Sequence, residues 1–274
     1  MIAGRTQPID ASELRWKARV LQLSTITLFL LSWQFIPEIP GVQQYLPVTG
    51  RFFISSPEQV ASSLFRTVIG DTTPVIWGLL FTSMRGIVLG GAAGLFAGML
   101  LGLLMSHWPT VDATLSPFFT ALNATPRLAL IPIVIVVLGP TATASTAVTA
   151  LVVFLVVFFS ALAGGRSVPE PLMLNAYLLG AGRLGLMRIR WRYVTVWTVA
   201  VLPNVLATAF IAGITTELLS GSPGLGRLVR RALETLDATR TMVLVVFLSV
   251  IGGGLSWMGR ALGRRWLHWH EGSS

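Results

Sequence analysis

Apolar residues run along this chain in long blocks with few charges inside them. Six blocks reach or approach the roughly twenty residues that an α-helix needs to cross a bilayer. They are Val20 to Ile36, Ile76 to Met105, Ala113 to Leu138, Ala142 to Ala163, Tyr193 to Leu219 and Met242 to Met258. The first is short and contains Gln22 and Gln34. The second would be about 45 Å long at 1.5 Å per residue, so it must tilt or extend beyond the bilayer. Pro117, Pro126 and Pro132 interrupt the third, Pro203 lies in the fifth, and Gly252-Gly-Gly lies in the last. The pattern predicts an all-α membrane protein of about six transmembrane helices, with both termini on one side.

The break from Gly164 to Arg192 holds five arginines and one acid, and it is the only polar stretch of any length on the side expected to be cytoplasmic. Its composition predicts a short helix rather than a loose linker. Pro169 and Pro171 suit a first turn, and Ser167 is placed to cap it. Leu172, Leu174, Leu178 and Leu179 follow at helical spacing as a leucine face, and Gly180 and Gly182 supply a stop. Such a helix, held outside the membrane, either needs a partner to cover it or lies on the bilayer surface. Arginine and lysine counts near span ends set orientation. The N-terminus (Arg15, Lys17, Arg19), the 164–192 loop and the tail (Arg260, Arg264, Arg265) share one side, which is therefore predicted to be cytoplasmic.

The other side holds Arg51 and Arg66, and also Arg227, Arg230, Arg231 and Arg240, which run against that rule. Gly221-Ser-Pro-Gly-Leu-Gly is too flexible for a plain helix and favours a re-entrant segment over residues 220–238. The expected layout is a cytoplasmic segment 1–19, one membrane domain 20–258 and a basic tail 259–274. Residues 20–36 are expected to be an uncleaved span, because no small-x-small cleavage site follows them.

Composition narrows the functional classes. Of 274 residues, 53% are hydrophobic and 11% charged, which excludes an ordinary soluble domain. The net charge of +9 sits in breaks between apolar blocks rather than on one basic face, so nucleic-acid binding is excluded. With no cysteine, disulfides, thiolate metal sites and cysteine catalysis fall together. His107, His268 and His270 lie outside the apolar blocks, and no hydrolase or metalloprotease motif is present. His268, His270 and Glu271 could touch a metal, but a frayed basic tail accounts for them. The one lysine, Lys17, lies outside any glycine-rich loop, so a Walker-type phosphate loop is impossible here. No catalytic residue, metal or cofactor is therefore expected in this chain.

Three internal features stand out. Gly86, Gly90, Gly94, Gly98 and Gly102 recur every four residues with Ala93 and Ala97 beside them, a bare stripe that lets another helix approach closely. Arg85, in the same block, must face protein or water or reach an interface. Glu217 is the one carboxylate inside an apolar block; it could pair with Arg85, or each could have local partners. Finally, Pro126 and Pro132 bracket Arg127-Leu-Ala-Leu-Ile after Asn123-Ala-Thr. Each proline frees a carbonyl four residues earlier, so the segment is either the lining of a water-filled path or a simple kink.

These residues resemble a known family. The chain is similar, from about Ser55 to Arg265, to type I ATP-binding-cassette importer permeases of the nitrate/sulfonate/taurine/bicarbonate group. Ile54-Ser-Ser-Pro-Glu-Gln-Val resembles the family's segment entering the second span, and Arg85 with the glycine stripe resembles that span. Asn123-Ala-Thr-Pro-Arg-Leu-Ala-Leu-Ile-Pro resembles its proline-broken third span. Glu217-Leu-Leu-Ser-Gly-Ser-Pro-Gly-Leu-Gly resembles its acidic, glycine-rich segment before the last span. The 164–192 loop falls where the family keeps its Glu-Ala-Ala coupling motif. Ser167, Val168, Leu172, Ala176, Leu179, Gly180, Ala181 and Arg183 match it, whereas Leu174 and Asn175 stand where the family has Glu and the first Ala. A few extra residues precede Leu202-Pro203, and the first of the family's two prolines is missing.

The resemblance implies that Glu170, Leu172, Leu174, Asn175, Ala176, Leu178, Gly180, Ala181 and Arg183 form a helix seated on a cytoplasmic ATPase dimer, which binds ATP and magnesium. It implies a pathway or gate role for Asn123, Pro126, Arg127, Pro132 and Glu217. It further implies a second permease chain, identical or different, a periplasmic substrate-binding protein, and a multi-pass location in a bacterial inner membrane. The absent acid leaves two readings: a degenerate half of a heterodimer, or a docking contact carried by the arginines of the loop. The cargo would be a nitrate-, sulfonate- or taurine-like anion or a small organic molecule. The alternative is a stand-alone secondary transporter or channel, which would be expected to carry more mid-membrane ionisable groups. An intramembrane enzyme lacks its catalytic groups.

Overall fold

The computed structural model describes residues 11–35, 39, 55–70 and 73–267. Pro37, Arg51, Ile54, His268, His270 and Glu271 lie outside the described residues. Among the described residues every regular element is a helix. They are α1 (Ala11–Phe35), α2 (Pro57–Ile69), α3 (Thr73–His107), α4 (Pro109–Ala124), a 3-10 turn (Arg127–Leu130), α5 (Ile131–Leu138), α6 (Ala142–Arg166), α7 (Glu170–Leu178), α8 (Arg183–Ser220), α9 (Leu225–Glu234) and α10 (Ala238–Leu267).

Four helices, α3, α6, α8 and α10, are long and apolar enough to cross a membrane, and α4 with the 3-10 turn and α5 makes a fifth if counted as one bent span. Residues 20–35 of the first block are also helical, within α1, but Gln22, Ser24, Thr25, Thr27, Ser32 and Gln34 leave them more polar than those four; Ile36 lies outside the described residues. Its Trp33 Nε1 donates to the Ser55 carbonyl at 2.7 Å, just ahead of α2. Ser55 in turn bonds Thr239 at 2.9 Å, at the start of α10.

The core is an α3–α6 pair flanked by α8. Helices α3 and α6 run in the same direction, because positions ever later on α3 meet positions ever later on α6. A Cβ on Gly86 would meet Thr146 Oγ1; on Gly90, the Thr146 carbonyl; on Gly94, the Ala150 carbonyl; on Gly98, Phe154 O and Phe158 N, both at 2.9 Å; and on Gly102, Ala161 Cβ at 2.6 Å. The glycine stripe thus brings two backbones together, the only way to gain dispersion where lipid tails are as apolar as leucine. Ala93 and Ala97 sit exposed on the flank of the stripe. Helix α8 runs the opposite way: Gly213 lies against Ile87 and Thr149, and Gly164 lies against Trp197. Helix α10 packs on α8, with Gly252 at Phe210 and Gly259 at Pro203.

Three readings of the proline and serine positions are corrected. The third block does break, with a bend of 96°, but at Thr125-Pro126 alone. Pro117 stays inside α4, and Pro132 lies in the first turn of α5, where no backbone donor is needed, so it frees no carbonyl. Ser167 does not cap the short helix; its Oγ donates to the Gly164 carbonyl at 2.8 Å and it closes α6 behind it. The long polar break is mostly helical: α6 continues through Gly164, Gly165 and Arg166, and Arg183 to Arg192 already belong to α8.

Candidate functional site

At one end of the molecule, α6 and α8 are joined by α7. Pro169 and Pro171 start it, with Leu172 and Met173 amides donating to the Pro169 carbonyl. It stops in a six-residue wrap: Ala181 N donates to Ala176 O and Gly180 N to Tyr177 O, both at 2.9 Å. Gly180 has φ of 85°, a left-handed turn that a residue without a side chain adopts freely.

No residue of α7 is buried. Met173 and Ala176 are half-buried, and the main contacts of α7 are with α8. The expected leucine face is not a single one. At about 100° per residue, Leu174, Asn175 and Leu178 point away from Met173 and Ala176, while Leu172 lies on the flank. Leu174 is 56% and Leu178 72% exposed. Glu170 and Gly180 are exposed, as is Arg183, while Ala181 is half-buried beside them at the start of α8.

The same end is braced from behind. Phe119 of α4 packs with its ring tilted against Phe154 and Phe158 of α6, with centroids 5.9 and 4.4 Å apart, and Met105 and Leu162 belong to the same cluster. Such aromatic pairs add about 0.5–1.5 kcal/mol each beyond burial. Arg166, the last residue of α6, forms an ion pair with Asp112 in the first turn of α4.

The pathway candidates fall into two groups. Asn123, Pro126 and Pro132 are exposed around the bend, and Arg127 is half-buried there. The bend is anchored by Ile131, fully buried against Val148, Val152 and Ala212. Ala212 lies little more than one turn before Glu217 on α8, so the bend and the acid share a neighbourhood but make no bond with each other among the described residues.

Glu217 is buried at the opposite end from α7. Its Oε2 accepts from Ser83 Oγ at 2.8 Å and from the Gly226 amide at 3.0 Å, and Ser83 Oγ accepts from the Leu225 amide at 2.9 Å. One carboxylate and one hydroxyl thus satisfy the first amides of α9 and tie it to α3 and α8. Gly224, at φ of 157°, passes so close that a Cβ there would strike the Glu217 carboxylate. The pairing of Glu217 with Arg85 does not form; Arg85 is exposed on α3 and makes no ion pair among the described residues. Ser83 was missed from the sequence: it stands beside Thr82, whose hydroxyl bonds the Gly78 carbonyl of its own helix, and nothing local shows which of the two meets the buried acid.

The segment after Glu217 is a helix with two faces. Leu225, Leu228, Val229 and Ala232 are buried, while Arg231 is exposed and Arg227 and Arg230 are half-exposed. Arg230 pairs with Glu234 at 2.8 Å. Between α8 and α10 runs an open, mainly apolar groove of about 490 Å³, with the hydroxyls of Thr215, Ser249 and Ser256 in its wall.

Comparison with known proteins places this arrangement. Residues 94–268 match the sequence pattern of binding-protein-dependent transport system inner membrane components. The chain is 26% identical to the taurine transport system permease protein TauC of Escherichia coli (strain K12), over 96% of each chain. It is 26% identical to the riboflavin transport system permease protein RibX of Chloroflexus aurantiacus, over 93% of this chain and 91% of that one. A probable ABC transporter permease protein of Brucella abortus is 25% identical over 82% of this chain and 90% of its own.

Proposed function

The chain belongs to the family of binding-protein-dependent transport system inner membrane components, and we propose that it is the permease subunit of an ATP-driven importer, docked through α7 onto a separate ATPase. The observation that carries this reading is α7 itself: a short helix closed at its C-terminal end, with Leu174 and Leu178 exposed, attached to the bundle at the junction of α6 and α8. In this reading residues 20–258 form the membrane domain. The α7 end, residues 1–19 and residues 259–274 face the cytoplasm, and α9 lies at the periplasmic surface, where a binding protein delivers the cargo.

Two such chains, identical or different, would enclose the path, with Asn123, Pro126, Arg127, Pro132 and Glu217 near it. ATP and magnesium would be held by the partner. When ATP closes the ATPase dimer, the groove gripping α7 moves, and α6 and α8 move with it because α7 joins them directly. Transport is then a shift between inward-open and outward-open populations, biased by a ligand bound on another chain. The relatives' names support a small sulfonate or another small organic solute as cargo.

The test is purification of the tagged chain from its native membrane in mild detergent, with every co-purifying species weighed. A Walker-motif ATPase is expected in the complex, and one permease species or two then sets the stoichiometry. Recovery of the chain alone, or only with itself, would overturn the reading in favour of a secondary transporter.

A further inference from the structure

The spanning helices do not all present the same kind of surface. From Gly86 to His107 every exposed residue of α3 is valine, leucine, alanine or phenylalanine, a face suited to lipid tails. Helix α8 differs. Asn204, Thr208, Ile211 and Thr215 follow at steps of four, three and four, so at about 100° per residue they form one stripe. Asn204 and Ile211 are exposed, and Thr208 and Thr215 half-buried. On one side of the stripe Ala212 meets Ile131 of the bend, and on the other Phe210 meets Gly252 of α10. There α10 adds Ser249, Gly253 and Ser256 to Thr215 in the wall of the 490 Å³ groove.

Hydroxyls inside helices ordinarily bond back to a carbonyl of their own helix, as those of Thr82, Thr149, Thr216 and Ser249 do. Thr215 and Ser256 have no such partner among the described residues and leave their hydroxyls free in the groove wall. An exposed amide and free hydroxyls inside two apolar spanning helices suit water better than lipid. The wall is also uncharged: none of the residues lining the groove is ionisable, Arg127 belongs to the bend, and Glu217 is held by Ser83 and the Gly226 amide. An ion there would find no counter-charge, whereas a solute with none, or with balanced charges, could bond the hydroxyls and rest on Ile211, Val245 and Leu248. We propose that the Asn204–Thr215 stripe and the α10 side of the groove form the wall of a water-filled path for a small organic solute without net charge. This rests on the reading of the chain as a transporter but on no ATPase, so its test reads water at named positions whatever co-purifies.

The chain has no cysteine, so Thr208→Cys, Thr215→Cys and Ser256→Cys, each close in size to the original, add one thiol apiece. Phe96→Cys, on the exposed face of α3, is the control. The full chain, in open fragments of its native membrane, is treated with anionic sulfonatoethyl or cationic trimethylammonioethyl methanethiosulfonate, and labelling is followed by the mass of the purified chain. Only the thiolate reacts, and little thiolate forms in lipid, so the wall thiols should label about tenfold faster than Phe96→Cys, or more. The ratio of rates for the anionic and cationic reagents should match that for mercaptoethanol in the same buffer. A fixed charge in the wall would skew it by about fivefold, and such a skew would overturn the assignment of a solute without net charge. Wall thiols no faster than Phe96→Cys would overturn the path itself. If oxidation then links two chains through Thr215→Cys, the stripe is a contact with a second copy; if it does not, the stripe faces lipid.

Discussion

The α3–α6 seam and the α7 tip are both made of ordinary apolar and small residues, yet they are built on opposite terms. In the seam, glycines bring one backbone against another, and Val153, Val157 and Phe158 are fully buried around it. At the tip, nothing is buried, and the largest side chains, Leu174, Tyr177 and Leu178, face outward. Inside a bilayer a leucine gains little by leaving lipid for protein, so cohesion has to come from close contact, and bulk there is an obstacle. Outside it, an exposed leucine is held at a cost of about 1.5–3 kcal/mol relative to a buried one, so a projecting leucine face has its use in a complex. The seam therefore determines whether the bundle exists, and the tip determines what the bundle joins.

The sharpest way to break that contrast is to add a side chain to the seam. A Cβ on Gly94 would overlap the Ala150 carbonyl and lie 2.8 Å from Phe154 N and 3.0 Å from Val153 Cβ. Backbone atoms cannot yield without moving α6, so Gly94→Leu should cost about 3 kcal/mol or more. Gly78 lies on the same helix with nothing within 4 Å of its would-be Cβ. Gly78→Leu should be tolerated within about 0.5 kcal/mol. Thermal unfolding followed by tryptophan fluorescence compares the two, and equal losses would show that the stripe is not what holds the pair.

An intermediate effect is expected at the end opposite the tip. Glu217→Ala removes the acceptor of both Ser83 Oγ and the Gly226 amide, each left buried, for about 2–3 kcal/mol. Ser83→Ala removes one acceptor, that of Leu225, and one donor to Glu217, for about 1–2 kcal/mol. Because the chain has no cysteine, Ala232→Cys gives a single probe on the buried face of α9, at a position 1% exposed. If the carboxylate pins α9, maleimide labelling of that probe should quicken about tenfold for every 1.4 kcal/mol lost, in the order Glu217→Ala, then Ser83→Ala. Unchanged labelling would show that apolar burial alone holds α9 down.

The two regions also differ in how much of them the sequence discloses. Long apolar blocks and a period-four glycine stripe follow from local spacing, and α3, α6, α8 and α10 lie where those blocks predict. Cap and proline assignments depend on where the neighbouring helix stops, which is a tertiary matter. Gly164 and Gly165 look like a loop, yet they stay helical because Trp197 and Ser106 press against them. Ser167 consequently closes α6 rather than opening α7. Pro132 reads as a second break only until Pro126 has ended the previous helix and left Pro132 in a first turn. The partner of Glu217 lies 134 residues away on α3, a separation no local pattern carries.

The smallest effect on stability should come from the tip, and that smallness is the diagnostic. Leu174 and Leu178 already face solvent, so Leu174→Asp or Leu178→Asp should change the unfolding of the isolated chain by no more than about 0.5 kcal/mol. In a complex the same leucines would be desolvated in a groove, where truncating a central apolar anchor costs about 2 kcal/mol or more, some thirtyfold in affinity. Leu172, turned toward the flank, should matter less than either, while Met173 and Ala176 face the bundle and should act on folding instead. Reconstituted ATPase stimulation and subunit association, set beside thermal unfolding of the chain alone, separate the two. If Leu174→Asp and Leu178→Asp lower the stability of the isolated chain as much as they lower association, α7 is a packed part of the bundle. A loss confined to the assembled complex makes it a contact surface whose energy is released only on docking.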